Sequence, residues 1–469
     1  MRLPNLRTMW LGGFGALGVV LALALPALAQ GPDPSGAETL AADPTAPVNF
    51  VWVLVSAFLV FFMQAGFALV EAGMTRAKNT VNILSKNVLD FCMAALAFWA
   101  FGFAIMFGGS ALASGLEKGN AFIGYSGFFL SGAAYDVTTV LYWLFQMVFA
   151  ATAATIVSGA MAERTRVPAY LAYSFLVSAL IYPIYGHWVW GGGWLAQLGA
   201  VDFAGSGVVH GVGGILALIG AWKLGPRIGK YDEQGRPRPI PGHNMTFVIL
   251  GVFILFFGWF GFNAGSTLAA TELRISVIAT NTTLAAVAGG VAAMYVTLVR
   301  TGRIDLSVTG NGILAGLVAV TAACAFVAPW AAVVIGAVGG LIMLWATRFI
   351  EEKLKVDDPV GAAAVHGAVG IFGVIAVGIF ADGTYGVSGL IVGDVQQLVA
   401  QLISVVAMIL WSGVTGWLLF TLLDKTIGLR VSREDELAGL DATEHGMVAY
   451  GEDPAVAHSQ ELGLAGGRA

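Results

Sequence analysis

The stretch Asp202-Phe203-Ala204-Gly205-Ser206-Gly207-Val208-Val209-His210-Gly211-Val212-Gly213-Gly214 decides how the chain is read. It sets a carboxylate and, eight residues on, a histidine into a run made mostly of glycine and small apolar residues. The run stays apolar through Trp222, so His210 falls near the middle of a segment long enough to cross a bilayer as a helix. An ionisable side chain at that depth is costly and marks a route for ions or protons. The hexamer Val209-His210-Gly211-Val212-Gly213-Gly214 returns as Val365-His366-Gly367-Ala368-Val369-Gly370 in a second apolar segment. A single buried histidine is more often a packing residue satisfied by backbone carbonyls. Two in duplicate motifs point to a paired device.

Composition agrees with a membrane setting. Of 469 residues, 58% are hydrophobic and only 11% charged, which excludes an ordinary soluble multidomain protein. The 63 glycines suit helices that pack backbone to backbone in lipid. Cys92 and Cys324 both lie in apolar segments and outline neither a disulfide framework nor a metal motif. No cofactor motif is read and no nucleic-acid partner is expected. Residues 1–29 have the form of a signal peptide: Arg2 and Arg7 at the start, an apolar centre, and Ala27-Leu28-Ala29 as the cleavage signal. The alternative is an uncleaved first helix.

Apolar segments of spanning length fall at about 49–70, 87–109, 137–160, 167–185, 207–224, 245–264, 277–299, 308–326, 330–350, 362–380 and 397–423, which makes eleven. Charge tests the count, because Lys and Arg collect in cytoplasmic segments. With the mature N-terminus outside, the segments after odd-numbered spans hold every Lys and Arg except Lys118 and Arg274 on the other side and Arg2 and Arg7 in the leader. The expected topology is N-terminus out, C-terminus in. Residues 424–469 turn polar and read as a cytoplasmic regulatory tail on a 30–423 membrane domain.

Phe61-Phe62-x-x-x-Gly66-Phe67 in the first span matches Phe256-Phe257-x-x-x-Gly261-Phe262 in the sixth, as the histidine hexamers match in the fifth and tenth. Spans 1–5 and 6–10 are therefore expected to be copies, with the eleventh peripheral. Five is odd, so the copies cross the membrane in opposite senses, and such inverted repeats put the substrate route at their shared midplane.

The chemistry rests on His210 and His366. A neutral imidazole has one donor and one acceptor nitrogen, so a buried pair can share one N–H···N bond and accept and return a proton. Neither apolar run adds Cys, Asp or Glu beyond the histidine, so a metal site is not read. Asp202, at the mouth of the fifth span, suits a helix cap, and cation attraction is the competing role. Phe145, Phe149, Trp188, Trp190, Trp194, Trp259, Phe260 and Phe262 gather toward the outer halves of spans three to six. They fit either an aromatic belt and core or ring faces that hold a cation. A hydroxyl such as Ser266 could accept a hydrogen bond from a donor-bearing cation. A bare ion is expensive in such a pore, whereas a small molecule that sheds a proton is not, and ammonium is the obvious candidate.

Five motifs carry a resemblance: Phe62-Met63-Gln64-Ala65-Gly66-Phe67-Ala68-Leu69-Val70-Glu71-Ala72-Gly73, Gly159-Ala160-Met161-Ala162-Glu163-Arg164, the opening stretch, Gly258-Trp259-Phe260-Gly261-Phe262-Asn263-Ala264-Gly265-Ser266, and Asp357-Asp358-Pro359 ahead of His366. Together with the tail to Tyr450, they resemble the ammonium transporter (Amt/Mep/Rh) family, in its bacterial Amt form. The resemblance implies a homotrimer of eleven-helix protomers in the inner membrane, surrounded by lipid and each with its own pore. It implies that Phe149, Trp190 and Ser266 recruit ammonium, that Phe149 and Phe262 gate the pore, and that His210 and His366 line it. Trp259 would lie on the pore wall and Asp202 would support the recruitment site from behind. A PII-type signal protein at the cytoplasmic face is the implied partner, and the protein is not expected to be an enzyme. One departure stands out: the stretch Val360-Gly361-Ala362-Ala363-Ala364 lacks the acidic residue and Phe that some members carry before the second histidine. The rivals are an ammonium sensor signalling through the tail, disfavoured because no signalling domain follows Tyr450, a sodium-coupled carrier, and an Rh-like gas channel.

Overall fold

The computed structural model describes residues 32–451, so the proposed leader and the last residues of the tail lie outside the described part. Among the described residues, every regular element is helical, and extended pairing is limited to isolated bridges. Ten helices are long and apolar enough to cross a membrane: α1 Ala46–Met74, α2 Ala77–Phe107, α3 Val137–Met161, α4 Val167–Gln197, α5 Ser206–Leu224, α6 Met245–Thr267, α7 Ile275–Thr301, α9 Pro329–Leu354, α10 Ala363–Phe380 and α11 Val395–Thr426. The eleventh, α8 (Leu306–Thr321), is shorter and continues into a buried turned segment through Val327. The protein is an all-α polytopic membrane protein, with eleven spanning helices among the described residues.

Two boundaries depart from the sequence expectation. Helix α2 begins ten residues before the expected 87, because its first turns are polar yet buried: Asn82, Lys86, Asn87 and Asp90 are all inside the molecule. Lys86 is therefore on the helix and not in the preceding loop; its Nζ donates to the Thr165 carbonyl at 2.5 Å. Helix α4 runs well past the expected 185 despite Pro183. A widened π turn at Val177–Ile181 precedes the proline and lets the helix continue without the missing N–H.

The repeat shows in how glycines meet. A Cβ on Gly66 would lie 3.1 Å from the Gly251 carbonyl, and one on Gly261 would lie 2.6 Å from the Ser56 carbonyl. Gly251 and Ser56 each stand five residues before a Phe-Phe pair, so the contacts between α1 and α6 are reciprocal. The same holds between α5 and α10. Gly214, last in its hexamer, rests on the backbone of Gly367, third in the other. A Cβ on Gly370, last in its hexamer, would sit 2.8 Å from the N of Gly211, third in the first. Residue i touching j while j's equivalent touches i's equivalent is the signature of a two-fold relation. Both pairs run antiparallel, so helices α1–α5 and α6–α10 form an inverted repeat. Each histidine also sits in a π turn, Ser206–Gly211 in one copy and Ala363–Ala368 in the other.

Helix α11 packs outside the repeats and presents Val399, Val406, Leu410, Val414 and Leu422 outward, as a lipid-facing stripe should. At its far end the tail folds back as two short helices, α12 (Arg433–Ala438) and α13 (Leu440–His445). Glu436 Oε1 accepts from Ile228 N at 2.7 Å, Asp441 Oδ1 from Asn82 N at 2.8 Å and Glu444 Oε1 from Val167 N at 3.0 Å. The tail thus clasps the starts of α2 and α4 and the α5–α6 loop. Beneath it Arg227 grips Asp357 through Nε at 2.8 Å and Nη2 at 2.9 Å, and also reaches Glu163. Burial opposes charge on Asp357, but the guanidiniums of Arg227 and Arg164 hold its carboxyl well below the usual carboxylate range.

Candidate functional site

Asp202 lies just before α5, at the face opposite the tail, and is 95% buried, being 5% exposed. Its Oδ1 accepts from Gly205 N at 2.8 Å and Ser206 N at 2.9 Å, and its Oδ2 from Gly207 N at 2.8 Å and Val208 N at 2.9 Å. All four orphan donors of this helix start are taken by one carboxylate. Burial raises its carboxyl above the usual value, against the four N–H bonds that pull it back. Gly205 turns the chain into the cap with φ 115°, a conformation that glycine tolerates and side chains do not. The Asp202 carbonyl accepts from Trp190 Nε1 at 2.7 Å, and the Trp190 ring packs over Gly205. Asp202 therefore fixes both the first turn of α5 and the plane of Trp190.

From Trp190 a file of rings runs inward. Phe149 on α3 meets Trp190 edge-on, with centroids 6.1 Å apart, and stacks on Phe262 of α6 at 4.1 Å. Phe262 stacks on His210 at 5.3 Å, and Trp259, one turn back along α6, covers the same imidazole at 5.0 Å and 18°. Thr321 locks Trp259 in place, accepting from its Nε1 at 2.8 Å. His210 then faces His366 at 5.2 Å between centroids, and Phe67 of α1 lies 6.2 Å beyond His366. Phe149, Phe262, Trp259 and His210 are fully buried.

The two imidazoles share an Nδ1···Nδ1 contact of 3.1 Å. One nitrogen must donate and the other accept, so the neutral pair holds opposite tautomers. Their outer Nε2 atoms therefore differ, one a bare acceptor and the other an N–H donor. His210 Nε2 is buried with no protein partner among the described residues. This arrangement can take up a proton at one end and release one at the other without a metal.

The geometry sorts the residues expected from sequence. Phe145, Phe149, Trp190, Trp259 and Phe262 come together with the histidines, Phe145 backing Phe149 at 4.8 Å. Trp188 and Trp194 pack on each other at 5.7 Å, and Trp188 also packs on Trp411. Phe260 turns away to Phe256 at 5.8 Å. Ser266, one turn beyond Phe262, donates to the Phe262 carbonyl at 2.7 Å, which leaves its oxygen lone pairs open. Two residues that carry no assigned role in the sequence belong here: Thr321, which anchors Trp259, and Phe67, which covers His366. A third buried histidine, His187, is clamped between the Met106 and Asn120 carbonyls at 2.8 and 2.7 Å, away from the pair.

The spacing of the pair depends on the backbone contact of Gly214 with Gly367. Gly214→Ala would drive a methyl into that backbone, and overpacking of this kind costs about 1–3 kcal/mol. The expected outcome is a lower midpoint of thermal unfolding in detergent; an unchanged midpoint would show that α5 and α10 part freely.

Residues 51–450 match the profile described as the Ammonium Transporter Family. The chain is similar to "Ammonium transporter Amt2" of Archaeoglobus fulgidus, 53% identical over 450 residues that cover 92% of this chain and 94% of that one. It is 42% identical to a putative ammonium transporter of Synechocystis sp., over 93% of this chain and 96% of that one. Among solved structures, one described as "Sensor Amt Protein" superposes with a TM-score of 0.79 at 39% identity, covering 86% of this chain and 99% of that one. Mep2 of Candida albicans superposes with a TM-score of 0.75 at 29% identity, covering 83% and 87%.

Proposed function

Because the chain belongs to the Ammonium Transporter Family, we propose that it carries ammonium across the inner membrane by holding the cation at an aromatic mouth, removing its proton and passing ammonia along the twin histidines, the proton being either left behind or carried separately. The protein is a transporter-family member and not an enzyme. The observation that supports this reading best is the unbroken ring file ending in the 3.1 Å Nδ1···Nδ1 contact. Isolated charge in so dry a passage costs far more than a neutral molecule. Phe149, Trp190 and Ser266 form the recruitment site: each ring face contributes roughly 0.5–2 kcal/mol to a cation above it, and the Ser266 oxygen accepts an N–H. Phe149 and Phe262 are the gate, His210 and His366 the conducting pair, Trp259 the pore wall, and Asp202 the support behind Trp190.

The same proposal takes residues 1–29 as a signal peptide, 30–423 as the transport domain and 424–469 as a regulatory tail, with the N-terminus outside and the C-terminus in the cytoplasm. It takes the assembly as a homotrimer whose tail face meets a PII-type signal protein; the clasp of α12 and α13 on two helix starts and the α5–α6 loop gives such a partner a lever. The test is electrical recording, with internal pH, on reconstituted protein given ammonium steps. A sustained current, or a pH change without current, is expected, and the absence of both overturns transport. A transient binding current without flux would instead favour a sensor, the second reading, which the likeness to the "Sensor Amt Protein" structure supports.

A further inference from the structure

Beyond His366 the ring file opens into a cavity toward the tail face. Its walls include Phe67 and Glu71 of α1, Asn311 of α8, Val360, Val365 and His366. These residues sit near the tail-face ends of their helices, except Val360, which lies in the bend just before α10. Glu71 is three residues from the end of α1, about 4.5 Å along the axis. The stretch before His366 is small and apolar, so the only carboxylate on this wall comes from another helix.

Glu71 is 2% exposed, and its two oxygens are used differently. Oε2 accepts from Asn87 Nδ2 at 3.2 Å and from the Ser158 hydroxyl, tying α1 to α2 and α3. Asn87 is itself fixed, accepting from Thr155 Oγ1 at 3.2 Å and donating to the Ile83 carbonyl at 3.0 Å. Oε1 has no hydrogen-bond partner among the described residues. The charged groups that act on Glu71 are committed elsewhere. Lys86 Nζ bonds the Thr165 carbonyl and lies 3.9 Å from Glu444, and Asp358 caps α10 through Gly361 N at 3.0 Å and Ala363 N at 2.7 Å. A carboxyl that is buried, held rigidly by one oxygen and free of protein partners at the other, offers that second oxygen to a cation, whose charge would offset the cost of burying its own.

We propose that Glu71, with the cavity between it and His366, is a second binding site for a small monovalent cation of ammonium's size and charge, on the tail side of the twin histidines. The proposal rests on the ammonium reading above and adds the place where ammonia leaving the histidines takes a proton from tail-side water, releasing hydroxide, and where the cation dwells before release, or binds first in reverse flux. Recruitment at the opposite mouth uses ring faces and a hydroxyl; this site uses full charge, so the two ends of the pore differ in kind.

Glu71→Gln separates the two uses of the side chain. The amide oxygen keeps the bonds from Asn87 and Ser158, while the cavity receives an NH2 donor in place of an acceptor. In vesicles of uniform orientation, Glu71→Gln should raise the half-saturating ammonium concentration for flux begun at the tail face by about tenfold, the scale of one lost charge-assisted contact, and leave that for the opposite face within about twofold. Glu71→Asp should restore part of the difference. No change at the tail face, or an equal change at both faces, overturns the site. Should Glu71→Gln fail to assemble, the unmutated protein soaked with rubidium decides: an anomalous peak in contact with Oε1 is expected, and no peak overturns it. If the unmutated protein moves no ammonium from either face, transport fails while the rubidium result still judges the site.

Discussion

Replacing both His210 and His366 by alanine is expected to lower methylammonium uptake ~100-fold or more, the scale set by loss of a positioned acid–base pair, or to turn the pore into one that conducts bare cations. The imidazoles are each other's only hydrogen-bond partners among the described residues, joined at 3.1 Å and walled by Trp259, Phe262 and Phe67. Two alanines leave a wider apolar tube that cannot hold a proton, yet they disturb no backbone contact, because α5 and α10 meet through glycines. Uptake assays and recording on folded protein read the result; wild-type flux with wild-type selectivity would remove the pair from the mechanism.

Asp202→Asn is expected to be nearly as severe, by a different route. The carboxylate serves four backbone N–H groups with two oxygens. An asparagine keeps one oxygen and turns an NH2 toward the other two donors, and each buried unsatisfied donor costs about 1–3 kcal/mol. The first turn of α5 loosens, and with it the carbonyl that anchors Trp190 at 2.7 Å. Reduced yield of folded protein should accompany weaker apparent ammonium affinity in what remains, measured by thermal unfolding and concentration-dependent uptake. Normal stability together with normal affinity would show that the cap is dispensable. The electrostatic alternative, attraction of a cation by this carboxylate, predicts lost affinity at full stability, so the two measurements separate the roles.

The sequence revealed much of this fold because membranes impose length and charge rules that act locally. Eleven apolar segments and a one-sided scatter of Lys and Arg are visible without any contact. The hexamers at Val209 and Val365 disclose the pair because both keep V-H-G-x-x-G. What stayed hidden depended on partners distant in the chain. The start of α2 differs from the expected 87 since Asn82 and Lys86 look like loop residues until the tail and Thr165 cover them. Phe260 was grouped with Trp259 by adjacency, but successive helical residues point about 100° apart, and it faces Phe256 on the far side of α6. Glu71 carries no role in its sequence motif, since only folding brings Asn87 and Ser158 to one of its oxygens and sets the residue on the cavity wall.

The reciprocal glycine contacts also bear on how the two halves can move. A carrier that alternates its opening by rocking one repeat against the other must slide their shared surfaces. Here Gly214 lies on the Gly367 backbone and Gly370 on that of Gly211, with no side chain between to act as a hinge or bearing. Such a seam is stiff, because packed backbone offers no second arrangement to adopt. The two repeats are therefore welded at their centre, and under the proposed gate role of Phe149 and Phe262 passage would depend on small swings of those two stacked rings. Throughput should follow ring rotation more than the slower motion of domains, with a correspondingly shallow dependence on temperature and membrane viscosity.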